Sequence, residues 1–218
     1  MGDVKTVLAV TGTRREASVL HGLGVGVIAI GGTEAALDAA LLEPDAPLAA
    51  IVSFGMGGAL DPELRLGDWV IGTGVCGGAS ALCNAEWASD LSRRLPQTRL
   101  GSCYADGRLI GDSQEKQELF RKQGAIVVDM ESHLVAKAAA RLGIPFAILR
   151  CISDEAAADL PPAIAVAMRP DGGLALGAII KSIVMDPAQL PELMRSTVRF
   201  NRVFASLKTG AGLAFSQS

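Results

Sequence analysis

The chain has 218 residues, half of them hydrophobic but only 4% aromatic, and a formal net charge of −3. That length fits a single domain, residues 1–218, with an aliphatic core. The acidic balance excludes the basic footprint of a nucleic-acid binder, and no apolar run reaches the ~18 residues that cross a bilayer. Cys76, Cys83, Cys103 and Cys151 form no C-x-x-C, and His21 and His133 pair with no cysteine at ligand spacing, so no metal is expected. The pattern reads as reduced thiols in a cytoplasmic protein, and Met1–Lys5 lacks the apolar run of a signal peptide.

In chain order, Thr6–Val10 reads as a strand turning at Thr11-Gly12-Thr13, and Arg14–His21 as a helix closed by Gly22. Gly24–Ile30 is a second strand. Thr33 can cap a helix over Glu34–Leu42 that stops at Pro44. Ala49–Ser53 is a third strand, running into a glycine-rich loop, Phe54–Gly58, and Trp69–Val75 is a fourth. A helix at Asn84–Leu95, a strand at Arg99–Tyr104 and a helix at Gln114–Gln123 follow. Ile126–Val128, the helix Ser132–Leu142 and the strand Phe146–Ile152 come next, then two helices at Gly173–Met185 and Pro187–Leu207. The alternation predicts a mixed, mostly parallel sheet covered on both faces, an α/β fold. Gly22-Leu23-Gly24-Val25-Gly26 is not a dinucleotide fingerprint, because it precedes a strand instead of following one.

Two acids stand at element ends. Glu131 opens a helix and Asp154 follows a strand, where open α/β sheets bind ligands. Each also has a plain structural reading: Asp154 as a helix cap, Glu131 as a complement to the helix dipole. Asp129 reads as structural, and His133 as a packed or surface residue. Gly12, Thr13 and Arg14 lie at a strand-to-helix turn with free N–H groups, a hydroxyl and a guanidinium, an anion site that Thr33 could join. Arg15 is equally well a solvated charge. The uncharged stretch Leu160–Met168 reads either as core or as a greasy lip for an apolar substituent.

Three segments in order resemble one family. Asp129-Met130-Glu131-Ser132, Arg150-Cys151-Ile152-Ser153-Asp154, and Ser53-Phe54-Gly55-Met56-Gly57-Gly58-Ala59-Leu60 with Gly67-Asp68-Trp69-Val70 are similar to motifs of purine nucleoside phosphorylases and methylthioadenosine/S-adenosylhomocysteine nucleosidases. The likeness spans roughly Val7 to Ala157 and is greatest to the branch associated with hopanoid biosynthesis. It implies an α/β/α sandwich and cleavage of a purine nucleoside, with no cofactor beyond inorganic phosphate as co-substrate and with assembly as a homo-oligomer. Asp154 is then the acid that protonates the departing base, a role that calls for a desolvated pocket. Glu131 holds the ribose hydroxyls and Met130 lies on the sugar or in the core. Phe54, Gly55, Met56 and Gly57 contact base and sugar. Glu16 lies near the glutamate with which nucleosidases activate water. The chain departs from the family in having Gly55 where many relatives carry Ser, and in lacking the phosphate-binding Arg that hexameric phosphorylases place just before this loop. The leading expectation is phosphorolysis of a 5′-modified adenosine such as adenosylhopane. Hydrolysis through Glu16 and a non-catalytic nucleoside-binding protein are the alternatives.

Overall fold

The structure is a computed structural model that describes residues 6–42, 47–95, 97–161, 164, 181–182, 185–186 and 190–215. Eight strands form one sheet: β1 (Thr6–Thr11), β2 (Gly26–Ala29), β3 (Leu48–Ala59), β4 (Trp69–Gly77), β5 (Ala81–Leu82), β6 (Thr98–Ala105), β7 (Ala125–Asp129) and β8 (Phe146–Asp154). The helices are α1 (Arg14–Ser18), α2 (Glu34–Leu42), α3 (Ala85–Arg94), α4 (Ser113–Gln123), α5 (Ser132–Leu142) and α6 (Leu190–Phe215).

Strand order is β2-β1-β3-β7-β6-β4-β5, with β8 paired to both β3 and β4. The pairings β3–β7, β7–β6, β6–β4, β4–β8 and β8–β3 therefore close a ring, to which β1 and β2 are added as a flat extension. The sheet is mixed, as expected: β3 runs antiparallel to β7, and β4 antiparallel to β5 and β8, while the other pairs are parallel. Aliphatic cores lie on both faces. One gathers Leu37 of α2 and Leu134, Val135 and Ala138 of α5; the other gathers Leu91 of α3 and Val203, Leu207 and Ala211 of α6. A smaller cluster joins Leu60, Tyr104 and Ile110 to Leu119 and Phe120 of α4.

Three expectations are corrected. The glycine-rich segment is not a loop: β3 continues through Phe54–Gly58 to Ala59, because its backbone is paired with β8 along its length and with β7 at its end. The first helix is five residues long instead of reaching His21, since Gly22 and Gly24 adopt positive φ of 81° and 74° and turn the chain into β2. The last helix runs on past Leu207 to Phe215. The expected helix Gly173–Met185 lies outside the described residues except at 181–182 and 185, as does the apolar stretch beyond Pro161 except Ile164. Leu160 itself is tied down, its N–H bonded to Gly111 O at 2.9 Å. Among the described residues no helix is long and apolar enough to cross a membrane.

Candidate active site

The corner between β1 and α1 is built around Glu16. Thr13 caps α1, and the cap is reciprocal. Thr13 Oγ1 accepts from Glu16 N at 3.2 Å, while Glu16 Oε2 accepts from Thr13 N at 2.9 Å and from Thr13 Oγ1 at 2.7 Å. The other oxygen, Oε1, accepts from Met56 N at 2.7 Å, which fixes the carboxylate against the middle of β3. A Cβ on Gly55 would stand only 2.5 Å from this oxygen. Glycine here is what lets the carboxylate lie on the strand.

Glu131 comes to the same corner from the end of β7. It stands at the start of α5, yet its side chain caps nothing. Asp129 caps the helix in its place, with Oδ1 accepting from Glu131 N at 2.8 Å and Ser132 N at 2.7 Å. The Glu131 carboxyl is thereby freed to lie against Gly12, where a Cβ would meet its Oε1 at 2.7 Å. Met130 turns toward the β2–α2 corner, its Cε 3.8 Å from the Cβ position of Gly32, and remains partly exposed.

Below them runs a buried polar network. Arg150 of β8 donates from Nε to Asp129 Oδ2 at 2.7 Å, with both side chains 1% exposed. Its Nη2 donates to Ser53 Oγ and to Ser132 Oγ, and lies 4.0 Å from Glu131 Oε2. Ser132 Oγ and Cys103 Sγ also donate to Asp129 Oδ2. Burial alone would raise the Asp129 carboxyl, but the Arg150 charge and the converging donors outweigh it and hold it at about 2. Burial likewise works against the Arg150 guanidinium, and the Asp129 and Glu131 charges outweigh it and raise its proton affinity. That pair is neutral as a unit. Glu131 is the carboxyl left over: burial, then the Asp129 charge, push it up to about 8 against the opposing pull of Arg150.

Asp154 ends β8, opposite Gly58 of β3. Its surroundings are not the apolar pocket expected for it. Oδ2 accepts from Lys116 Nζ at 2.6 Å and Oδ1 from Ser153 Oγ at 2.9 Å.

Two expected groups are placed differently. Phe54 points away from Glu16 and Arg150 into the core, with no exposed surface. It lies against Trp69 at 6.2 Å and Phe215 at 5.8 Å between ring centroids. Alternation along a strand puts Ser53, Gly55 and Gly57 on the opposite face, beside the polar network. At the expected anion site of Gly12, Thr13, Arg14 and Thr33, several of the groups have partners within the protein. Thr13 spends its N–H and hydroxyl on Glu16, Gly12 abuts the Glu131 carboxyl, and Thr33 Oγ1 donates to Ile30 O at 2.9 Å. Arg14 is exposed at the surface. The Glu16 and Glu131 carboxyls line this corner, and two of the N–H groups at the start of α1, those of Thr13 and Glu16, already have acceptors.

Other residues fall to their plainer readings. Arg15 stacks over Phe200 and Phe204 at 4.8 and 4.5 Å and donates to Asn201, which binds α1 to α6. His133 is buried against the Gly78 and Gly107 backbone. Cys151 is a buried core thiol. Among the described residues no group of three or more His, Cys, Asp and Glu could hold a metal. Residue patterns assigned no part to Lys116, and marked Arg150, Ser53 and Ser132 only as members of motifs. The available signal was a charged residue inside an apolar strand, Arg150, and one on the apolar face of α4, Lys116.

Comparison with known proteins shows the family and the fold. The sequence profile of the Phosphorylase superfamily matches residues 2–184. The 5′-methylthioadenosine/S-adenosylhomocysteine nucleosidase of Treponema pallidum (strain Nichols) is 26% identical over 208 residues, covering 72% of this chain and 77% of its own. The fold resembles that of the Helicobacter pylori enzyme of the same name (TM-score 0.63, 16% identity, 84% of this chain and 99% of that one). It also resembles the futalosine hydrolase of that organism (TM-score 0.60, 14% identity, 69% and 88%). With a matching profile over most of its length and the same layered sheet, the chain belongs to the Phosphorylase superfamily.

Proposed function

We propose that this protein is a nucleosidase, which breaks the N-glycosidic bond of a 5′-modified adenosine with water instead of phosphate. The observation that carries the reading is the Glu16 carboxylate at the start of α1. It consumes both donors of Thr13 and presents Oε1 beside Gly55, so the corner is furnished with a base and not with an anion cradle. In the reaction the C1′–N9 bond breaks and its electron pair leaves with the purine. Asp154, with Oδ2 held by Lys116, carries a proton from solvent to N7 of the base, and water attacks C1′ as Glu16 takes its proton. Glu131 meets the ribose hydroxyls and, once it has released the proton that its burial beside Asp129 favours, complements the cationic sugar ring of the transition state. The products are adenine and a free 5′-modified ribose. A carboxyl that accepts from the 6-amino group of adenine would oppose the acceptor of a 6-oxo purine, which supports adenine as the base. The nucleosidase named for methylthioadenosine and S-adenosylhomocysteine supports a 5′-thio group as the first to try.

Adenine release from methylthioadenosine, S-adenosylhomocysteine and adenosylhopane, measured in phosphate-free and phosphate buffers, tests the proposal. Equal rates and a reducing sugar as product are expected, with no rise of Tm on adding phosphate. A strict need for phosphate and a ribose-1-phosphate product would return the reading to phosphorolysis. Binding without turnover would leave a nucleoside-binding protein.

A further inference from the structure

Behind Asp154 lies a lysine with no exposed side-chain surface. Lys116 Nζ has three protons and three acceptors: Asp154 Oδ2 at 2.6 Å, Ala158 O at 2.8 Å and Glu155 O at 3.2 Å. Two further bonds join the same parts of the chain, Ser113 N to Asp159 Oδ1 at 2.8 Å and Leu160 N to Gly111 O at 2.9 Å. Residues 154–160 are thus stitched to the start of α4 with the ammonium at the centre of the seam. Stability does not explain the choice of residue. Lys116 shares the apolar face of α4 with Leu119 and Phe120, three and four positions on, where a hydrophobic side chain would avoid the desolvation of a charge.

We infer that Lys116 is a positioning residue for glycosidic cleavage: it pins Asp154 Oδ2 and the turn that follows, so that the carboxyl presents one fixed orientation to the departing base. The inference rests on the nucleosidase reading, in which Asp154 hands its proton to that base. Lys116 touches no substrate. It acts through Asp154, with Ser153 Oγ holding the other carboxyl oxygen and Gly57 O within 3.2 Å of the same hydroxyl.

A double-mutant cycle on the full chain tests this. Lys116→Met should lower kcat for adenine release about 10²-fold, the scale of a misplaced catalytic group, with KM within about threefold. In an Asp154→Asn background the same change should cost less than about threefold, because the group it acts through is gone. Equal losses in both backgrounds, or a single variant with the wild-type kcat, would overturn the inference. Should Lys116→Met fail to fold, the double variant, which also removes the unpaired carboxylate, should fold better than the single one and turn over as fast as Asp154→Asn. A double variant more than about threefold slower than Asp154→Asn would likewise overturn it. A wild-type protein that releases no adenine would overturn the function itself, a result distinct from an active wild type with additive variants.

Discussion

Replacing Glu131 by Gln should make the protein more stable while making it a poorer catalyst. Burial and the Asp129 charge, opposed by Arg150, push the Glu131 carboxyl from an ordinary 4.5 up to about 8. Between these values the folded protein keeps a proton that the unfolded chain has released. Stability therefore falls as pH rises through the window, by about 1.4 kcal/mol per pH unit. The whole window amounts to at most about 5 kcal/mol, fully lost once the pH has passed above 8. Relaxation of the buried cluster around Arg150 takes up part of it, so Glu131→Gln should recover about 2–4 kcal/mol at pH 9. For a chain of this size that is roughly 5–10 °C in Tm. Thermal unfolding followed by circular dichroism from pH 5 to 9.5 measures it: the two proteins should melt together near pH 5 and diverge as pH rises. Above pH 8, where the wild-type carboxyl is ionised, kcat/KM of the variant should be about 10²–10³-fold lower, while free adenine binds almost normally. Tm curves that stay parallel across the pH range would refute the account of a carboxyl strained by its burial beside Asp129.

Asp154→Asn should lower kcat by roughly two to four decades with little change in substrate binding, as removal of a general acid does; near wild-type turnover in steady-state assays would take Asp154 out of that role. Arg150→Met leaves Asp129 buried beside an apolar group and should cost about 3–5 kcal/mol in urea unfolding, most of it regained by adding Asp129→Asn, which removes the charge and keeps an oxygen to cap α5. No recovery in the double variant would mean that the pair is not the source of the loss. Phe54→Leu should cost about 1–2 kcal/mol through the contacts with Trp69 and Phe215 while leaving KM near the wild-type value; a tenfold rise in KM would put the ring on the purine after all.

Much of this arrangement is legible in the sequence because its acids lie at element ends. Strand and helix periodicity places Glu16, Glu131 and Asp154 next to turns, and α2 and α5 run between the residues that the pattern marks. The error at β3 arose from reading glycine as a strand breaker. In a ring of paired strands the backbone hydrogen bonds come from the neighbours β7 and β8, so Phe54–Gly58 stays extended without side chains to hold it. With the strand cut short at Ser53, the alternation that sends Phe54 inward went unseen. The bonds within the expected anion site were hidden for a different reason. Residue types at a turn show which donors exist, but not that Glu16 and Thr13 satisfy one another three positions apart. Lys116 was hidden because its partner lies 38 residues away, at a distance no local pattern reports.

The Glu16 carboxylate serves two masters. Two of its three hydrogen bonds close the first turn of α1 and the third anchors β3, contacts that any folded copy of this chain must make before a nucleoside arrives. A lineage that changed this residue to alter the attacking group would loosen a helix start and a strand in the same step. On the nucleosidase reading proposed above, drift toward phosphate as co-substrate would be opposed by folding, quite apart from selection on turnover, because the β1–α1 corner would have to be remade with it.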